Sequence, residues 1–95
     1  MTVRVALIEE RLRRALEPQA LQINDDSAAH VGHAGAREGG GHFTVLIVSR
    51  HFTGKALLQR HRLVYAALRE LMPAEIHALS IKALTPEESQ FPTTP

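Results

Sequence analysis

The chain contains no cysteine. It therefore has no disulfide framework and no thiolate nucleophile. Any metal site must draw on imidazole or carboxylate, plus whatever a partner brings. Aromatic residues are scarce, three Phe and one Tyr, which argues against stacking of bases from single-stranded RNA. No apolar run approaches the ~20 residues needed to cross a bilayer. Arg4 is the one charge near the start, and no cleavage-site pattern follows it, so no secretory signal is expected. The expected setting is the cytoplasm, without a membrane. Charge of one sign is not in excess either. Eleven Lys and Arg face ten Asp and Glu, for a net charge of +1, a balance that neither demands nor excludes nucleic acid. The glycine run Gly39–Gly41 is not followed by Gly-Lys-Ser/Thr, so it is not a phosphate-binding loop. There is no HExxH and no serine in a nucleophile elbow. No enzymatic activity is expected.

What is present is one domain's worth of sequence and six histidines. A chain of 95 residues buries roughly 60–65% of its unfolded surface, enough for one modest core. Val5, Ile8, Leu12 and Leu16 recur at helical spacing, so 2–17 reads as a helix, with Thr2 as N-cap and Pro18 as its stop. Glu9 with Arg13 and Glu10 with Arg14 stand four apart in the favourable order on its outer face. Residues 20–24 read as a short strand in which Leu21 and Ile23 alternate with Gln22 and Asn24. A long loop over 25–41 carries His30 and His33, with His42 at its far edge. Loops of this length in a small domain are usually functional or disordered.

The stretch from Gly41 to Tyr65 organises the rest. Residues 42–49 have apolar side chains on both faces, which predicts a central strand. His51 to Gly54 make a turn, and a helix is expected from about Lys55 to Leu71. Leu57, His61, Val64, Leu68 and Leu71 form its apolar stripe. Lys55, Arg62 and Arg69 recur every seven residues as a basic stripe, bordered by Leu58 and Tyr65. Pro73 ends the helix. Residues 76–83 read as the last strand, whose alternation puts His77 on one face with Leu79 and Ile81. The tail after Pro86 has little to bury and reads as frayed. The order α-β-β-α-β predicts an α+β domain: a three-stranded sheet with helices on one face, its last two strands joined by a helical crossover.

Several segments together resemble the BolA family over about 3–91. They are Asn24 to His30 (NDDSAAH), His42-Phe43 with the following VLIVS, Phe52-Thr53-Gly54-Lys55, Gln59-Arg60-His61-Arg62 with Val64-Tyr65, and Ile76-His77-Ala78-Leu79 through Thr85-Pro86-Glu87. No one of them is specific; their order and spacing are. One departure is visible. The family often places a Trp two residues beyond the Thr-Pro-Glu run, where this chain continues Glu88-Ser89-Gln90-Phe91, with Phe91 as the substitute. The resemblance implies a BolA-like domain over 1–88 with a fold similar to type II KH domains, and a disordered tail over 89–95. It implies a non-enzymatic partner of monothiol glutaredoxins, monomeric alone and heterodimeric with that partner. The two proteins would share a [2Fe–2S] cluster with glutathione, and the isolated chain would hold none. It also implies an alternative, a duplex-DNA-binding regulator linked to stress response and cell shape.

Carried onto this chain, the family's strand ligand is His77 and its loop ligand is His30, with His33 and His42 as competitors. The chemistry agrees: two His can replace two Cys at one iron of a [2Fe–2S] cluster, and this chain has no thiol to offer. His61, on an apolar stripe, reads as a core or partner-surface residue. Lys55, Arg60, Arg62 and Arg69 are the candidates for phosphate contacts, although the Gly54-Lys55-Ala56-Leu57 turn lacks the GxxG of RNA-gripping KH loops.

Overall fold

The computed structural model describes residues 3–26, 41–72 and 76–90. Helix α1 spans Val3–Leu16. Strands β1 (Ala20–Asp25) and β2 (Gly41–Val48) follow. A 3₁₀ turn at Arg50–Phe52 leads to helix α2, Leu57–Leu68, which tightens into a second 3₁₀ turn at Arg69–Leu71. Strand β3 spans Ile76–Leu84, and a short helix, α3, covers Pro86–Gln90.

The sheet order is β1-β2-β3. β1 pairs antiparallel with β2, and β2 pairs parallel with β3. The central place of β2 explains why its sequence is apolar on both sides. Cross-strand partners share a face. Leu21 opposite Ile47, Ile23 opposite Val45, and Phe43 beside Leu79 therefore form one apolar face. Helices α1 and α2 cover it. Ile8, Leu12 and Leu16 of α1 join Val64, Leu68 and Leu71 over Phe43, Val45 and Ile47 in a single buried cluster. Val5 packs at its margin.

The expected stripe on α2 is corrected at its first turn. Leu57 is 65% exposed, and the inner positions are Arg60, Val64 and Leu68. Leu57 has the right direction on the helix wheel but stands at the helix start. The helix meets the sheet one turn later, where Arg60 reaches the backbone of β3.

Polar contacts fix the ends of the elements. The carbonyl of Leu16, orphaned at the end of α1, accepts a 2.7 Å hydrogen bond from the buried Ser49 hydroxyl just past β2. Glu17 adopts a left-handed φ of 47° that ends α1. Its carboxylate lies 3.2 Å from His51 Nε2 and 3.6 Å from the Arg50 guanidinium. The His51 contact foremost, and then Arg50, holds that carboxyl below its ordinary pKa. Gly54, at φ +79°, supplies a turn conformation that a side chain would strain.

The C-terminal expectation is corrected in part. Pro86–Gln90 is helical rather than frayed. The sequence carries the reason: Thr85-Pro86-Glu87-Glu88 is a capping box with Pro at the first helical position. The Thr85 hydroxyl accepts from the Glu88 N–H at 3.1 Å, and the Glu88 carboxylate accepts from the Thr85 N–H at 2.9 Å. Residues 91–95, including Phe91, lie outside the described residues.

Candidate metal-ligand site and basic face

His77 lies one residue into β3, at the edge of the sheet, and is exposed. The register explains why. Gly41 pairs with Ile76, but His42 pairs with Ala78, so His77 is the extra residue of a β-bulge. The bulge shifts the alternation by one. Ile76 enters the core at 0% exposure, and His77 is released from it. This corrects the expectation that His77 shares a face with Leu79 and Ile81. Those two pack against the core, and His77 does not.

Across the bulge, the imidazole of His77 meets that of His42. The ring centroids are 5.4 Å apart, with planes tilted by 50°. His42 is half-buried, and its Nε2 is shielded from solvent. Of the four histidines named as metal candidates, the structure thus brings two together. His30 and His33 lie outside the described residues. Among the described residues, no three or more His, Asp or Glu side chains gather into a group able to hold a metal ion. The donor set fits a shared cluster in one respect: it offers an accessible neutral-capable nitrogen ligand and no thiolate. His61 sits half-buried on α2.

The four basic candidates divide. Lys55, Arg62 and Arg69 are exposed. Arg62 and Arg69, with Tyr65, Ala66 and Met72, line an open groove along α2. Arg60 is removed from this group. It is 8% exposed, and its guanidinium is spent internally. It donates to the carbonyls of Lys55 at 2.8 Å and Ala83 at 3.0 Å. It also grips both oxygens of Glu88, at 2.7 and 3.2 Å. Arg60 therefore ties α2, the end of β3 and α3 together.

This clamp gives a pH-dependent expectation. The Arg60 hydrogen bond first, and the Thr85 N–H next, pull the Glu88 carboxyl down from 4.5 to about 2. A carboxyl whose pKa is lowered by folding stabilises the fold above its unfolded pKa and loses that effect as pH falls towards the folded one. The stability gap between the wild type and Glu88→Gln should therefore be open near neutral pH and close as pH falls from 4.5 to about 2, read from thermal melts across that range. Arg60→Met strands two backbone carbonyls, and should cost about 1–3 kcal/mol. A gap that does not change with pH would show that the Glu88 contact is not made in solution.

The connectivity defines a small α+β domain built on a β-α-β crossover. A family model described as BolA-like protein matches residues 12–88. The chain is 47% identical over 89 residues to the chloroplastic protein BOLA1 of Arabidopsis thaliana, covering 90% of this chain and 56% of that protein. It is 43% identical over 94 residues to BolA-like protein 1 of Homo sapiens, covering 95% of this chain and 66% of that protein. It is 41% identical over 81 residues to the DNA-binding transcriptional regulator BolA of Escherichia coli strain K12, covering 85% of this chain and 74% of that protein. Among solved structures, the BolA domain of SufE1 from Arabidopsis thaliana matches with a TM-score of 0.81 at 41% identity, covering 93% of this chain and 98% of that chain. The chain belongs to the BolA-like family. It spans just over half of the Arabidopsis BOLA1 protein and about two thirds of the human one. Among the described residues, no helix is long and apolar enough to cross a membrane.

Proposed function

We propose that the protein is a non-enzymatic adaptor that docks on a monothiol glutaredoxin and co-ligates a [2Fe–2S] cluster, serving iron–sulfur trafficking or iron and redox regulation. The observation that carries this reading is His77, an exposed imidazole at a strand bulge in a chain without cysteine. A [2Fe–2S] cluster usually takes four protein or small-molecule ligands, commonly thiolates, and tolerates two imidazoles on one iron. Here the thiolates come from the glutaredoxin and glutathione. His77 supplies one imidazole, and His30 supplies the other. The cluster is cargo that the pair holds between them; this chain's part is to present nitrogen donors and a docking surface. Mixing the protein with a monothiol glutaredoxin, glutathione, iron and sulfide should give a visible circular dichroism spectrum distinct from that of the glutaredoxin cluster alone. The glutaredoxin spectrum unchanged by this protein would end the proposal.

A second reading is a DNA-binding regulator of stress response and cell morphology. It is favoured by Lys55 just before α2, Arg62 on it and Arg69 just past its end, all exposed, and by the name of the Escherichia coli relative. Phosphate contacts make affinity fall steeply with salt. The triple Ala variant at these positions should then bind duplex DNA more weakly at low salt without a change in melting temperature. Salt-independent retention on DNA, or equal binding by the triple variant, would remove this reading.

A further inference from the structure

We infer that the groove along α2 is a docking site for an acidic helical segment of a partner protein, one that carries an aliphatic side chain between two carboxylates. Such a site stands whether or not His77 ligates a cluster. Charge is the first sign of it. Arg11 lies against Glu70, Arg13 against Glu9, Arg14 against Glu10, Arg50 against Glu17 and Arg60 against Glu88. Among the described residues, Arg62 and Arg69 lie against no carboxylate. Glu70, the neighbour of Arg69, is taken by Arg11 of α1. Those five arginines are matched within the fold; the two that line the groove are left for something outside it.

Apolar surface is the second sign. Four large apolar residues are exposed among the described residues, and three of them, Leu57, Leu58 and Tyr65, are on α2. Leu58, Arg62, Tyr65 and Arg69 follow at spacings of four, three and four, which puts them on one side of the helix. Tyr65 and Ala66 lie between the two arginines, with Met72 just beyond, and together they line a groove of about 450 Å³. Arg62 and Arg69 stand seven residues apart, about 10 Å along the axis. A second helix laid along α2 would present two carboxylates seven residues apart at the same interval. Its residue three or four along from the first carboxylate faces the same way, and would rest on Tyr65 and Ala66. Each carboxylate can take the planar guanidinium fork through two hydrogen bonds. Duplex DNA fits the two charges but not the floor between them. Its phosphates would pair with the arginines and leave Leu58 and Tyr65 in water.

The test titrates isotope-labelled protein with an alanine-based helical peptide of about 20 residues, carrying Glu, Leu and Glu at positions i, i+4 and i+7. A control peptide has Gln in place of both Glu. Amide shifts read by NMR should move in one cluster around Arg62, Tyr65, Ala66, Arg69 and Met72. The Gln peptide should bind about tenfold more weakly, the loss expected from two exposed ion pairs. The double variant Arg62→Glu, Arg69→Glu, folded as judged by its thermal melt, should instead prefer a peptide with Lys at the two Glu positions. Tyr65→Ala should weaken the Glu peptide and leave its preference over the Gln peptide in place. Equal binding of the Glu and Gln peptides, shifts scattered over other elements, or no binding of the Glu peptide would overturn the site. So would a DNA duplex that moves the same amides with an affinity indifferent to Tyr65→Ala, because the stripe would then be a phosphate-contacting face.

Discussion

Replacing Leu68 with alanine should lower the unfolding free energy by about 2–5 kcal/mol. Leu68 is fully buried. It sits in the last turn of α2, where it belongs to the cluster that also holds Ile8 and Leu12 of α1 and Val45 and Ile47 of β2. Truncation there leaves a hole bordered by three elements, and a sheet and two helices cannot close on it together. Domain stabilities run at about 0.05–0.15 kcal/mol per residue, so for a chain this short the loss is a large share of the whole. Leu57→Ala is the matched control, on the same helix and with the same atoms removed. With Leu57 largely exposed, the change should stay within about 0.5 kcal/mol. Urea titrations of the two variants decide the packing directly. Equal losses would mean that α2 does not present Val64 and Leu68 to the sheet.

That pair of variants also marks where the sequence could and could not be read. The stripe Val5, Ile8, Leu12, Leu16 lies within one helix, so its period alone revealed the buried face. The double-sided apolar pattern of 42–48 revealed a central strand for the same reason. On α2, Leu57 and His61 share a stripe with Val64, and period could not tell them from Arg60. What decides is where along its axis the helix meets β3, and a contact of that kind joins distant residues. Arg60 is buried because Glu88, 28 residues on, pairs with it; a basic residue in a helix gives no hint of such a partner. The capping box of Thr85 and Glu88 stands at its spacing of three, yet composition alone made that segment read as frayed. The bulge at His77 was not visible. Alternation within β3 is intact on paper, and only the pairing with Gly41 and His42 breaks it. The result is a candidate site residue whose exposure the strand pattern concealed.

His77→Ala should abolish the mixed-cluster spectrum formed with a monothiol glutaredoxin, the largest functional effect expected of any single change. The residue is exposed, with its backbone at a bulge, so removing the imidazole takes away a donor and little packing. Its melting temperature should stay near that of the wild type, which separates lost ligation from lost folding. The cysteine-free sequence offers no thiolate in its place. His30→Ala is expected to act differently. Its place can be taken by His33 or by solvent, so the spectrum should change or the cluster become labile. His61→Ala, on a half-buried helix position, should disturb stability more than the spectrum. Imidazole in place of thiolate on one iron also raises the potential of a [2Fe–2S] cluster. The mixed cluster should therefore reduce at a higher potential than the all-thiolate cluster of the glutaredoxin alone. If His77→Ala and His30→Ala both give the wild-type spectrum and potential, imidazole ligation from this chain is wrong, and only docking on the glutaredoxin could survive.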